Sequence, residues 1–132
     1  MVHAQLGYAA DGLGNGITYA RLTTRAGERL VRVAFRARRF EGLAGREVAY
    51  AALTAVAALL RDRGIDRVQF AVPDAELVAD RANNRDVPPP LVIPYVNLGC
   101  VLNRFASFEL TGGDDPDLTA RARAELFIHT AA

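Results

Sequence analysis

A handful of aspartates and a stripe of arginines are the residues whose types and spacing could do chemistry. Asp11 precedes Gly12 in the run DGLGNG. Asp74 follows Pro73 just after the apolar run RVQFAV. Asp114, Asp115 and Asp117 cluster in TGGDDPD. Carboxylates are the hard oxygen ligands that a cation such as Mg2+ takes, but each of these also has a plain structural use. An aspartate before glycine closes a turn. Asp74 can cap a helix starting at residue 75. Acids at 114–117 suit the positive end of a helix that begins there. Arg32, Arg36 and Arg38 occupy alternate positions along one segment, with Arg39 and Arg46 following. Such a row could track phosphates or guard an exposed strand edge. No aromatic residue alternates with these arginines on the same face, so a stacking platform for single strands is poorly supported. Asn15, in the glycine-rich turn, is expected in the left-handed region. Glu47 and Glu76 read as solvated helix residues. Cys100 is the only cysteine, which excludes an intrachain disulfide and a cysteine zinc site.

These residues must be positioned by a chain of 132 residues, 51% hydrophobic and 23% charged, with net charge +1. That is an ordinary globular composition and one domain's length, so a single domain over 1–132 is expected. All the basic residues are arginine, which is a feature of composition and not a sign of phosphate binding. No uninterrupted apolar run approaches the length of a membrane span. The opening MVHAQLGYAADG lacks the layout of a secretion signal. The expectation is a cytoplasmic protein.

Residues 5–10, 17–24 and 29–38 read as three strands with short connections. In the third, Val31, Val33, Phe35 and Ala37 alternate with Arg32, Ala34, Arg36 and Arg38. Residues 45–63, rich in alanine and leucine and closed by Gly64, form the best helix. A strand at 67–72 and a short helix at 74–81 follow. The stretch ANNRDVPPP excludes helix through its prolines. Residues 91–104 are ambiguous, because Pro94 and Gly99 interrupt a run otherwise helical. A fifth strand at 105–110 and a terminal helix at 117–127 complete the chain. A three-strand antiparallel meander followed by α/β crossovers implies a mixed five-stranded sheet flanked by helices.

This order resembles the ribonuclease H family. The resemblance is carried by five features: Asp11-Gly12 followed by Gly14-Asn15-Gly16; Tyr50, Ala52 and Leu53 in the long helix; Gly64 to Val68 at that helix's exit; Phe70 to Val78, similar to the family's strand-Asp-Ser segment; and the acid-rich turn and alanine-rich helix from Asp114 to Leu126. It implies a ribonuclease H-like α/β fold and two-metal phosphodiester hydrolysis, in which paired Mg2+ or Mn2+ ions activate water and stabilise the leaving oxygen. The family uses four carboxylates: on the first strand, in the long helix, at the end of the fourth strand and before the last helix. Asp11 matches the first and Asp74 the third, and the two are expected at neighbouring strand tips as metal ligands. Asp115 or Asp117 would supply the last. The helical glutamate falls on Ala49, and a methyl group cannot ligate a metal. Glu47 lies two residues away, about 200° around the helix. The resemblance also implies a contact of Asn15 with the nucleic-acid backbone, Ala75 where the family has serine, and a turn shorter than usual.

Two functions follow from the resemblance. One is a divergent ribonuclease H-type endonuclease acting on the RNA strand of an RNA–DNA hybrid, with Asp11, Asp74, Asp115 and Asp117 catalytic and Asn15, Arg32, Arg36 and Arg38 on the nucleic acid. The other is an inactive module of the same fold with a degenerate site, binding nucleic acid or protein, with homodimerisation through an exposed strand or the apolar 91–103 segment. Fold alone does not choose between them.

Overall fold

The structure, a computed structural model, describes residues 1–83 and 86–131, the side chains of 129–131 excepted. Residues 84 and 85 of the expected polar stretch thus lie outside it. Three strands open the chain: β1 (Val2–Ala10), β2 (Asn15–Thr24) and β3 (Gly27–Arg36). Helix α1 (Arg46–Asp62) leads to β4 (Arg67–Val72) and α2 (Ala75–Asn83). A short turn of 3-10 helix (Pro89–Leu91) runs into α3 (Val92–Leu102). Strand β5 (Ser107–Gly112) and helix α4 (Pro116–Ala131) finish the chain. The ambiguous 91–104 segment is therefore largely helical. Pro94 sits in the first turn of α3, where a missing N–H breaks no intrahelical bond. The other expected elements are present with ends shifted by a few residues. Gly64, at φ +81°, lies just past α1, and Ile65 N–H donates back to Leu60 O, the left-handed stop that glycine favours.

The sheet order is β3-β2-β1-β4-β5. The first three strands pair antiparallel, and β4 and β5 join parallel to β1. Alternation along the strands sorts the two faces. Ala4, Leu6, Ala20, Leu22, Val68 and Phe70 are buried on the face that carries α1, α2 and α3. Helix α1 contributes Ala49, Leu53, Val56 and Leu60 to this core, a stripe at helical spacing. The other face carries α4, which lies across β1 and β2. Gly7 is the reason α4 can lie so close: a Cβ there would come within 2.5 Å of Leu118 Cβ and 2.6 Å of the Thr119 backbone nitrogen.

Helix α2 is held against α1 by a buried polar cluster. Asp80, about 1% exposed, accepts hydrogen bonds from Arg46 (3.1 Å) and from the Tyr50 hydroxyl (2.9 Å). Burial, then the bond to Asp80, pushes the Tyr50 phenol far above its usual range, so it remains the donor. Arg81 stacks on Tyr95 and fills the space above Gly99, which ties α2 to α3. Helix α3 is largely apolar and leaves Val92, Ile93 and Val96 exposed beside Asn97. Among the described residues no helix is long and apolar enough to cross a membrane.

Three substitutions test these contacts. Gly7→Ala is expected to lower stability by at least about 1–3 kcal/mol through overpacking, read as a shift in denaturation midpoint with loss of α4 protection in hydrogen exchange. Asp80→Ala leaves the Tyr50 hydroxyl without its acceptor and Arg46 with only the exposed Glu76 at 3.5 Å, and is expected to cost about 3 kcal/mol, with Tyr50→Phe costing far less.

Candidate active site and nucleic-acid face

The register of the central strands determines which side chains meet at the sheet's upper edge. Gln5 of β1 pairs with Ala71 of β4. Carried on three residues, that register brings Tyr8, rather than Asp11, level with Asp74. Asp11 lies three residues further along, about 10 Å at strand spacing. Tyr8 shares the α1 face with Leu6 and packs beside Val48, Ala52 and Phe35. Burial, then the negative charges of Asp74 and Asp114, push its phenol well above the usual range. The hydroxyl at this position is therefore neutral.

Each aspartate has local hydrogen bonds. One Asp11 carboxylate oxygen accepts from the backbone N–H groups of Leu13 (2.9 Å) and Asn15 (3.0 Å), and the other from the Asn15 side chain (3.3 Å). Desolvation raises the Asp11 pKa, but the hydrogen bonds from Asn15, Leu13 and Gly14 outweigh it and hold the carboxyl below its ordinary range. Asn15 is not left-handed, as the turn had suggested; it begins β2 opposite Arg36, and Gly14 takes the positive φ of 91°. Asp74 caps α2 through the N–H groups of Glu76 (3.0 Å) and Leu77 (3.1 Å). Asp115 caps α4 through Asp117 and Leu118, and its second oxygen lies 3.4 Å from Arg21. Asp117 is exposed in the first turn of α4.

A two-metal centre needs several hard oxygen ligands converging on one point. The residues present do not fit that requirement. A neutral phenol stands level with Asp74, and the α1 positions beside it are Val48 and Ala52. Ala49 is wholly buried. Among the described residues no group of three or more His, Cys, Asp and Glu side chains is placed to hold a metal ion.

The arginine row is opposed in part. Arg32 is exposed on β3 but pairs with Glu125 of α4. Arg39 donates to Asp11 O and lies 3.6 Å from Glu47, and Arg46 belongs to the Asp80 cluster. Arg36 and Arg38 are exposed and make no ion pair among the described residues; Arg38 stands over the Phe40 ring, 5.3 Å from its centroid. Arg36 ends β3, and Arg38 lies just beyond it. Glu47 corrects the reading of a solvated residue. It is about 2% exposed and accepts the Phe40 N–H at 2.8 Å. Only its nearness to Arg39 in sequence hinted at this.

Known structures share this architecture. Ribonuclease H1 from the halophilic archaeon Halobacterium salinarum superposes with a TM-score of 0.74 at 20% identity, over 97% of this chain and 98% of that one. The chain has the ribonuclease H fold. The N-terminal ribonuclease H domain of Rv2228c from Mycobacterium tuberculosis gives 0.72 at 17% identity over 99% and 98% of the two chains. LC11 ribonuclease H1, in a structure with an RNA/DNA hybrid, gives 0.69 at 13% identity over the whole of both chains. No family model and no curated protein matches the sequence.

The turn around Asp11 gives a pH test. Because its native pKa lies below the ordinary value of 3.8, its stabilisation is complete above that value and is lost as pH falls through the native one. Asp11→Ala should melt lower than the parent at neutral pH, with the gap closing on acidification. Paired melting curves from about pH 7 down to about pH 2 check this; a gap independent of pH would assign the turn's stability elsewhere.

Proposed function

We propose that this chain is a ribonuclease H-fold module that binds nucleic acid, an RNA–DNA hybrid foremost, without hydrolysing it. The observation that carries this reading is that the β1–β4 register, carried on three residues, puts Tyr8 level with Asp74, where the resemblance implies converging carboxylates. A neutral hydroxyl and an alanine-rich helix supply neither the charge nor the ligand number for two divalent cations. The fold's likeness to a ribonuclease H1 solved with an RNA/DNA hybrid supports the choice of ligand. Arg36 and Arg38 are the free cations of the β3 row, with Asn15 beside Arg36 in the register; guanidinium groups suit phosphate oxygens.

A second reading has one observation in its favour: Asp74 keeps the place at the end of the fourth strand, and Asp114 lies near enough to act on the same phenol. In that reading Asp11, Asp74, Asp115 and Asp117 contribute to hydrolysis with Mg2+ or Mn2+.

A labelled hybrid separates the two. The expected result is no cleavage in either metal, with binding that weakens linearly in log salt. Arg36→Ala and Arg38→Ala should each flatten the salt slope by about 1, while Arg32→Ala, whose partner is Glu125, leaves it unchanged. Cleavage that Asp74→Asn abolishes would overturn the binding reading in favour of the nuclease.

A further inference from the structure

A groove of about 370 Å3 runs between α1, the end of β3 and α3. That is within the size range of small-ligand sites. Its walls are apolar and shallow. Ala51, Ala55 and Ala58 face it from α1, Phe35 closes one side and Pro94 the other. Alanine at three successive turns leaves a slot that longer side chains would fill.

Tyr50 and Thr54 line the groove with hydroxyls already bonded to Asp80 and to Tyr50 O, and Asn97 lines it from α3; its charged groups are few. Glu47 lines it and is almost wholly buried. Its Oε2 accepts the Phe40 N–H and lies 3.6 Å from Arg39 Nε; its Oε1 has no hydrogen-bond partner. A buried carboxylate oxygen without a donor is costly and calls for one. Arg38 also lines the groove and is an exposed cation with no ion pair among the described residues; Arg36 borders it at the end of β3, its side chain on the face of Arg32. An occupant that complements this arrangement carries an N–H donor at one end, a flat apolar body and an anion at the other.

We propose that the groove is a subsite for one unpaired nucleotide whose base bears an amino group, with the base N–H donated to Glu47 and the phosphate held by Arg38. The inference rests on the reading of the chain as a nucleic-acid-binding module. Carboxylates accept from the amino group of cytosine, and guanine and adenine offer amino donors too. Uracil presents a carbonyl in place of that amino group and keeps only its imide N3–H, so a base seated with that edge on Glu47 sets two acceptors against each other. A site built to pair an amino donor discriminates against the analogue that carries an acceptor there.

Calorimetric titration of the full chain at low salt with GMP, CMP, UMP and ribose 5-phosphate tests this. GMP and CMP are expected to bind at least about tenfold more tightly than UMP, and ribose 5-phosphate more weakly still. Glu47→Gln retains an acceptor for the Phe40 N–H and turns an amide donor to the groove, so the preference should collapse or reverse toward UMP. Ala55→Leu, checked for native circular dichroism, fills the slot and should weaken every nucleotide at least about tenfold. Equal affinity for all four probes would make the site a charge patch and overturn the proposal; unchanged binding in Ala55→Leu would place the nucleotide elsewhere and do the same. Retention of an RNA–DNA hybrid without discrimination among nucleotides overturns the subsite and leaves the binding reading standing. Failure to bind both hybrid and nucleotides overturns both.

Discussion

The parallel pairing of β1 with β4, Gln5 opposite Ala71, governs what the upper edge of the sheet can do. Side chains alternate along a strand, so a register is pinned wherever both faces are covered. Here both are. Leu6 must enter the core under α1, and Gly7 must lie beneath Leu118 because no side chain fits there. A slip by one residue would drive Leu6 into α4 and leave the glycine in the core. With that choice made by packing, Tyr8 comes level with Asp74, and Asp11 is carried past the strand's end into the turn.

The consequences for charge follow directly. Asp74 and Asp115 cap the helices that begin beside them, and Asp11 closes its own turn. Arginines from distant elements are drawn to acids that folding brings near: Arg32 to Glu125, Arg46 to Asp80, Arg61 to Asp66. Arg38 stands at the groove without an ion pair among the described residues, and Glu47 sits buried within it.

Much of the architecture was legible because its signals are local. The alternation of Val31, Val33 and Phe35 with arginine marks a half-buried strand whatever lies around it, and Gly64 ends α1 by its backbone alone. The plain structural uses of Asp74 as a cap and of the acids at 114–117 at a helix start were legible in the same way. The helix at 92–102 was not, because the effect of Pro94 depends on whether it falls in the first turn or later. Glu47 was misread for a related cause. A glutamate in an amphipathic helix normally faces water, and its burial here depends on the Phe40 N–H, which belongs to a loop that folds back onto α1.

By itself, the sequence determined the five strands, the helices other than α3 and that the strands form one mixed sheet, because periodicity, glycine stops and proline breaks act over a few residues. Only the tertiary structure decided which residue stands beside Asp74, which arginines keep their charge free, and where a carboxylate is buried. Those outcomes are set by strand register and by contacts between residues far apart in the chain, such as Gly7 with Leu118 and Arg32 with Glu125. A local pattern carries no record of them.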